Sequence, residues 1–448
     1  MNKFLFSFEK IKYSNHALVK NFLIMVLMLF LSLLLALILS AFIYHDASLI
    51  YKIFISFFTS AFSSYSFTNN TIGTIAIFSV LAIGFIIPVK CGLFNIGISG
   101  QMLFGGAMAT ILANHAIDMP NGISQIVLLF IGIISGTAIG IIIGVLKAYL
   151  KVNEIVSSIV ISWILFYLSL YFLSQFCVIS EDQAFTKSLL HLQSDAFSSY
   201  NLVLQTSSGE SWIPLLIIAI LVIIGAVVLI YFTVFGKKII ITGKSFETSR
   251  FSGFNINTNT IITLSISGAL AGLAGVMLYL GNTTSMSIQT ASKALPTHGF
   301  VGISIGLISF SNPFFVLPIA TLFGIIDGAK SNLQVLYGID PSIADIIFGI
   351  TVYASAITSI FTYFHPIKWI LFKLNKKTWY EQKIEEKAQR QKLYDDVMIL
   401  LKTQKYHNEE RFNLKVQEMK AENDVKYNST NLIDYYWKEK NKMKENNK

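Results

Sequence analysis

The 448-residue sequence is poor in charge, because Asp, Glu, Lys and Arg make up only 13% of it. An average soluble domain carries about 25%. Hydrophobic residues make up 54% of the chain, and the mean hydropathy is +0.61. These values exclude a soluble globular enzyme and a disordered chain, and they indicate a protein with several membrane spans.

The sequence also lacks the usual patterns of catalytic and metal sites. Its two cysteines, Cys91 and Cys177, form no CxxC pair, and its seven histidines are scattered. Both cysteines are predicted to be buried as small apolar groups, although a single disulfide stays open. We therefore predict no catalytic residue, no metal site and no cofactor bound by this chain.

Long apolar runs are what the sequence has in abundance. A helix needs about 20 apolar residues to cross a bilayer. A further region, Gly299–Ile326, is apolar but is cut by Ser311-Asn312-Pro313, which predicts two short spans or a re-entrant hairpin. We predict an all-α polytopic membrane protein with about 8–10 transmembrane helices, some of them broken and rich in glycine. The eight full runs are Phe22–Tyr44, Ile72–Val89, Gly92–Leu112, Ile123–Leu146, Ile155–Phe176, Trp212–Phe235, Thr258–Leu280 and Ser342–Phe364.

The distribution of charge predicts the domains and the orientation. Residues 366–448 hold 19 Lys and Arg and 13 Asp and Glu, more than half of all charged residues. We predict a cytoplasmic N-terminus at 1–21, a transmembrane domain at 22–365 and a charged cytoplasmic tail at 366–448, helical or partly disordered. Eleven of the fifteen basic residues before 366 fall on the side of the N-terminus, which makes both termini cytoplasmic. Basic flanks of spans thus explain the pI near 9.2 without nucleic acid.

The densest polar cluster inside an apolar run lies at residues 91–106, with five glycines beside an Asn, a Ser and a Gln. Because glycine costs about 1 kcal/mol relative to alanine inside a helix, this segment predicts a broken helix. Broken helices in transporters line the substrate path, whereas glycines also permit tight helix packing. A second polar patch begins at His298, and its Gly302–Ser304 repeats the Gly-Ile-Ser of this cluster. The repeat indicates an internal duplication. The predicted pathway residues are Asn95, Gly97, Ser99, Gly100, Gln101, Gly302 and Ser304.

The cytoplasmic segment 236–257 is predicted to contain a short helix at Ser245–Ser252, with Glu247 in its first turn and Gly253 at its end. Such a helix suits docking to a soluble partner, and a solvated basic loop is the alternative. Gly243-Lys244-Ser245 matches the end of a phosphate-binding loop, but position 238 is Lys instead of the required Gly. The chain is therefore not expected to bind ATP there.

Six segments occur in a characteristic order: Gly92–Gln101, Asn153–Val156, Phe235–Asn255, Ser267–Gly275, Gly299–Ile303 and Pro341–Gly349. Together they resemble the membrane permease subunit of bacterial ABC importers. The resemblance is to the group that takes up nucleosides and simple sugars, which is related to branched-chain amino acid permeases. Ser99 stands where that family usually has an acidic residue, and the tail lies outside the family pattern.

The resemblance implies a division of labour in a bacterial plasma membrane. A second homologous permease, with a heterodimer favoured over a homodimer, completes the pathway. An extracellular lipoprotein delivers the solute, and a separate ATPase holds ATP and magnesium. The implied function is import of nucleosides; the alternatives are a ribose, galactose or branched-chain amino acid permease, a stand-alone secondary transporter, or a membrane enzyme. The residues implied to contact the ATPase are Gly243, Phe246, Glu247, Arg250 and Gly253.

Overall fold

The computed structural model describes residues 61–115, 123–176, 204–206, 209–211, 213–281 and 294–337, and the single residues 34, 38, 55, 59 and 349. The chain divides into two units, Met1–Ser359 and Ile360–Lys448, and all described residues belong to the first. The N-terminal segment 1–21, most of the runs Phe22–Tyr44 and Ser342–Phe364, Cys177, and the tail 366–448 lie outside the described residues. The predictions made for them therefore stay predictions.

Helices make up almost all of the described part. A π-helical turn, Val228–Phe232, extends α5, and a 3-10 turn, Pro313–Phe315, precedes α10. A small antiparallel hairpin joins β1 (Leu204–Thr206) and β2 (Gly209–Ser211). The helices are α1 (Tyr65–Lys90), α2 (Ile98–His115), α3 (Ile123–Ala148), α4 (Glu154–Phe176), α5 (Ile213–Val227), α6 (Val234–Lys244), α7 (Phe246–Phe251), α8 (Ile256–Gly281), α9 (Thr297–Ile308) and α10 (Val316–Tyr337).

Five of these elements are long and apolar enough to cross a membrane: α1, α3, α4, α5 with its π-helical turn, and α8. The bent pair α9 and α10 makes a sixth candidate. This confirms the prediction of an all-α polytopic membrane protein. In the described ranges the count is five or six instead of 8–10, because two predicted runs fall outside them and the run Gly92–Leu112 is not a full span.

The run Gly92–Leu112 was predicted as one span, and the structure corrects this. Helix α1 ends at Lys90, the backbone from Cys91 to Gly97 is not helical, and α2 begins only at Ile98. Gly92 has a φ of +75°, which only glycine adopts without strain. We call residues 91–97 the α1–α2 loop. The break expected from the glycine content is therefore present, at the start of the run.

Helices α1 and α8 form the interior of the described bundle. In α1, 89% of the apolar stretch is buried, and in α8 67%, against 33% in α3 and in α4. The exposed faces of α3 and α4 are apolar, with side chains such as Phe130, Ile134 and Ile164 more than half exposed. Such faces suit contact with lipid, because hydrocarbon replaces water around them.

Glycines hold α3 against α8 at backbone contact. Four of them, spaced four residues apart, lie on one face of α3: Gly132, Gly136, Gly140 and Gly144. A Cβ added at Gly136 would lie 2.1 Å from the carbonyl oxygen of Gly268, and one added at Gly272 would lie 2.0 Å from that of Gly132. Small residues at such spacing let membrane helices approach closely. We call this contact the α3–α8 glycine seam.

The region Gly299–Ile326 folds as a bent pair on α1, with 118° between its two helices. The turn lies at Ser309–Pro313, where the sequence predicts an interruption, and Phe310 and Ser311 have φ values of 52° and 54°. Helix α9 runs parallel to α1, and α10 runs back along it. The contacts that fix these directions are Gly302 with Leu81, Gly306 with Phe85, Gly324 with Ile75, and Gly328 with Thr71.

Candidate functional site

Asn95 is the centre of the polar cluster in the α1–α2 loop. Its Nδ2 donates to Gln101 Oε1 at 2.9 Å and to Ser267 Oγ of α8 at 2.8 Å. Its Oδ1 accepts the backbone N–H of Gly97 at 3.0 Å. Asn95, Gln101 and Ser267 are all buried. The side chain therefore fixes the loop to α8 and occupies a backbone donor just before α2 begins.

Helix α4 supports the other side of the same loop. Ser162 Oγ donates to the carbonyl of Gly97 at 3.2 Å and to that of Ser158 at 2.8 Å. A Cβ added at Gly100 would lie 2.5 Å from Ser162 Cα. Gly97 and Gly100 thus serve close packing of helices in this conformation. This is the alternative to the predicted role of these glycines in the substrate pathway.

Gln101 keeps one polar atom unused. Its Oε1 accepts from Asn95, but its Nε2 is buried and has no hydrogen-bond partner in the described structure. Buried side-chain polar atoms are almost always paired, so an unpaired amide nitrogen is costly. Gln101 is therefore the predicted pathway residue with hydrogen-bonding capacity left for another group.

The two predicted pathway patches meet where α9 begins. Ser99 Oγ donates to the carbonyl of Pro296, and a Cβ added at Gly299 would lie 2.5 Å from Ser99 Cα. One turn further, Gly302 packs on α1 and Ser304 is buried. Contact with a solute is a prediction that stays open for all seven residues.

The sequence does contain one catalytic pattern, contrary to the expectation of none: Ser304 stands in Gly-x-Ser-x-Gly, from Gly302 to Gly306, which is typical of serine hydrolases. In those enzymes the serine sits on a sharp strand-to-helix turn. Here Ser304 lies inside α9, and its Oγ donates to the carbonyl of Phe300 at 3.1 Å. This geometry is not that of an exposed nucleophile.

The α1–α2 loop also touches the segment that leads to α7. Gly243 lies near the end of α6, and a Cβ added there would be 2.2 Å from the carbonyl oxygen of Lys90 and 2.9 Å from the nitrogen of Gly92. Next to this contact Cys91 is buried as a free thiol. Burial raises the pKa of the Cys91 thiol to about 11. The loop and the end of α6 therefore form one packed unit.

Helix α7 begins and ends where the sequence predicts. Ser245 caps its start, with Oγ accepting the Thr248 N–H at 3.2 Å, and Glu247 lies in the first turn. At the end the N–H of Gly253 donates to Arg250 O and the N–H of Phe254 to Ser249 O, with Gly253 at a φ of +73°. This pair of bonds is a Schellman motif.

Buried hydrogen bonds fix α7 to its neighbours. Ser249 Oγ and Thr242 Oγ1 of α6 lie 2.9 Å apart, and Asn259 Nδ2 of α8 donates to Thr242 Oγ1 at 3.5 Å. All three residues are buried, whereas Glu247 and Arg250 on the other side of α7 are exposed. Helix α7 is therefore a short helix with an anchored inner face and a free outer face.

A protein-family model described as branched-chain amino acid transport system / permease component matches residues 67–356, well over half of the chain. The chain belongs to this family. The resemblance read from the sequence motifs is thereby confirmed. The permease has no match among solved structures.

Several curated relatives are similar to the permease at modest identity. Uncharacterized protein MG120 of Mycoplasma genitalium is 28% identical over 74% of this chain and 65% of its own length, so the chain matches less than two thirds of that relative. The nucleoside ABC transporter permease protein NupB of Lactococcus lactis is 26% identical over 68% of this chain and 82% of its own length. The guanosine ABC transporter permease protein NupP of Bacillus subtilis is 25% identical over 67% and 82%.

Sequence reasoning on the permease missed two residues of the polar cluster, Ser162 and Ser267. Each is one of several hydroxyl residues in its helix, such as Ser158 and Ser169 in α4 and Thr263 and Ser265 in α8, so nothing nearby in sequence points to the α1–α2 loop. Ser267 begins a glycine-rich motif that was noticed only as part of the resemblance. No local signal marks Ser162, because α4 contains no glycine.

Proposed function

We propose that this permease is the transmembrane subunit of an ATP-driven importer that moves nucleosides into the cell. The observation that carries the proposal is the similarity to NupB and NupP, which spans 82% of the length of each. Their names assign one to nucleosides and the other to guanosine. On this proposal the chain itself hydrolyses nothing, and the ATP-hydrolysing subunit is a separate protein.

The anchored helix α7 supports coupling to such an ATPase. Its outer face is free, while its inner face is hydrogen-bonded to α6 and α8 through Ser249. The end of α6 in turn packs on the α1–α2 loop through Gly243 and Gly92. A displacement of α7 can therefore be transmitted to Asn95 and Gln101 through backbone segments in direct contact. We propose that this route links ATP binding to opening of the pathway.

The partners and the orientation follow from the same proposal. A second homologous permease, as a heterodimer, completes the pathway, and an extracellular lipoprotein delivers the solute. Lys90, Lys244 and the ion pair of Lys147 with Glu154, at 2.6 Å, all lie at helix ends on one side of the bundle. A basic end favours the cytoplasm, so the N- and C-termini are proposed to be cytoplasmic.

Uptake of labelled guanosine and uridine tests the proposal. Cells that lack their own nucleoside importer would express this chain with its ATPase, second permease and binding protein. Unlabelled nucleosides should compete with the label, whereas ribose, galactose and leucine should not. ATP-dependent uptake that ribose or leucine blocks would keep the transporter class and overturn the solute. Ion-driven uptake by this chain alone would contradict the class.

A further inference from the structure

The most exposed large apolar side chain in the described ranges is Phe251, at the end of α7. It is 90% exposed, ahead of Phe232 at 77% and Val234 at 71%. Phe232 ends the apolar stretch of α5, where exposure suits lipid. Phe251 instead lies on α7, where the other side chains described as exposed, Glu247, Thr248 and Arg250, are polar or charged, so lipid contact does not explain it.

The surroundings of Phe251 match the anatomy of a protein interface. Its neighbours in the chain Glu247, Thr248, Arg250 and Ser252 are exposed, so in the described part of this segment an exposed aromatic side chain stands among exposed polar ones. Binding energy in interfaces concentrates in such central aromatic residues, and the rim mainly excludes water. A membrane-inserted face would carry neighbouring apolar groups, and the anionic inner leaflet would repel Glu247.

The backbone below Phe251 is held rigidly. The Schellman motif fixes the carbonyl groups of Ser249 and Arg250, and Ser249 is hydrogen-bonded to Thr242 in the interior. The backbone at Phe251 is already ordered before a partner binds, so binding costs little conformational entropy there, which favours affinity. Because α7 is rigid and hydrogen-bonded to α6, movement of a partner bound at Phe251 can be transmitted to α6.

We propose that Phe251 is the anchor by which the ATPase subunit holds this permease, inserted into an apolar pocket of that subunit. This inference rests on the proposed function and deepens it. The residues that the resemblance implied for contact with the ATPase are Gly243, Phe246, Glu247, Arg250 and Gly253. This inference places the main contribution to docking at Phe251, which is not among them. Exposed charge pairs at a rim contribute little to affinity, since water and salt screen them.

Binding of the purified ATPase subunit to the full-length permease in lipid nanodiscs tests the anchor. Phe251→Ala should raise Kd at least 10-fold, as hot-spot truncations do, and Phe251→Leu should stay within about threefold of wild type. Phe232→Ala is the matched control, because it removes the next most exposed phenylalanine from a lipid-facing position, and it should leave Kd unchanged. Glu247→Ala and Arg250→Ala should each change Kd less than about threefold, and less still at high salt.

The outcomes separate this inference from the proposed function. If wild type binds the ATPase and Phe251→Ala stays within threefold of it, the anchor is wrong while the proposed function stands. If wild type does not bind that ATPase, the proposed function fails and the anchor fails with it.

Accessibility of the side chain distinguishes a protein pocket from lipid. In a Cys177→Ser background, Phe251→Cys should react with a water-soluble maleimide as fast as Glu247→Cys, its neighbour on α7. Added ATPase should then protect Phe251→Cys. Labelling of Phe251→Cys more than 10-fold slower than that of Glu247→Cys before any ATPase is added would assign the side chain to the membrane and overturn the anchor.

Discussion

Asn95 uses its whole side-chain amide inside the protein, since both Nδ2 hydrogens and Oδ1 have partners. Gln101 uses only its Oε1, and its Nε2 is buried without a partner. The two amides of one cluster therefore have different roles. Asn95 holds the α1–α2 loop in place, and Gln101 is the residue with a donor to offer to a solute.

Asn95→Ala should lower the free energy of unfolding by about 1–3 kcal/mol, because it leaves a buried donor and acceptor unpaired. Gln101→Leu should cost less, since it breaks one hydrogen bond and also removes the unpaired nitrogen. Thermal unfolding of both variants in the same detergent measures the order. An equal or larger loss for Gln101→Leu would contradict these roles.

Uptake by Gln101→Ala tests the pathway prediction at the same residue. In assemblies that retain the ATPase, uptake should fall in Gln101→Ala by more than its loss of stability explains. Unchanged uptake in both Gln101→Ala and Asn95→Ala would mean that the cluster serves packing alone.

Cys91 should be inert to thiol reagents in the folded permease. With a pKa near 11, its thiolate fraction at pH 8 is roughly 100-fold below that of an ordinary cysteine, and the raised pKa means that reactivity grows only as pH rises toward 11. In a Cys177→Ser variant, a membrane-permeable maleimide at pH 8 should label the protein only after denaturation in SDS. Full labelling of the folded protein in the same time would contradict the buried thiol.

At the scale of elements, the sequence predicts features set by neighbouring residues better than features set by contacts far along the chain. Helix α7 was predicted well, because its cap at Ser245 and its glycine at Gly253 act on the nearest residues. The run Gly92–Leu112 was predicted as a full span, because the hydrogen bonds that hold the loop come from Ser162 and Ser267, far along the chain. Phe251 was missed for a related reason, since an apolar side chain in a short helix gives no sign in the sequence of whether another element covers it.

The α3–α8 glycine seam should tolerate no added methyl group. Gly136→Ala or Gly272→Ala places a Cβ about 2 Å from a carbonyl oxygen, so the helices must separate, at a cost of about 1–3 kcal/mol. Gly225→Ala in α5 is the matched control, because nothing lies within 4 Å of its added Cβ; it should be neutral or stabilise by up to about 1 kcal/mol. Melting temperatures in detergent compare the three, and a seam variant as stable as Gly225→Ala would show that the contact is loose.

At the scale of the whole molecule, the described loops sort into two ends. Antiparallel packing brings Gly144 of α3 to Ile261 of α8, near the end of α3 at Lys147 and the start of α4 at Glu154. The contact of Gly92 with Gly243 adds the α1–α2 loop and the end of α6 to this basic end. The opposite end includes the start of α3 at Ile123.

Cysteine labelling in cells tests the orientation of these ends. In a Cys177→Ser background, Ile123→Cys should react with a membrane-impermeant maleimide in intact cells, whereas Lys237→Cys should react only after permeabilisation. Both positions are exposed. The reverse pattern would place the basic end outside and contradict both the proposed orientation and the access of an ATPase to α7.

The most direct test of the central claim is uptake of labelled guanosine into vesicles rebuilt from purified subunits, with one subunit omitted at a time. The claim predicts uptake that requires this permease, the ATPase and hydrolysable ATP together, with the binding protein present on the outer side. Omission of this chain or of the ATPase should reduce uptake to the level of empty vesicles. Uptake that persists without the ATPase, or without this chain, would contradict the claim.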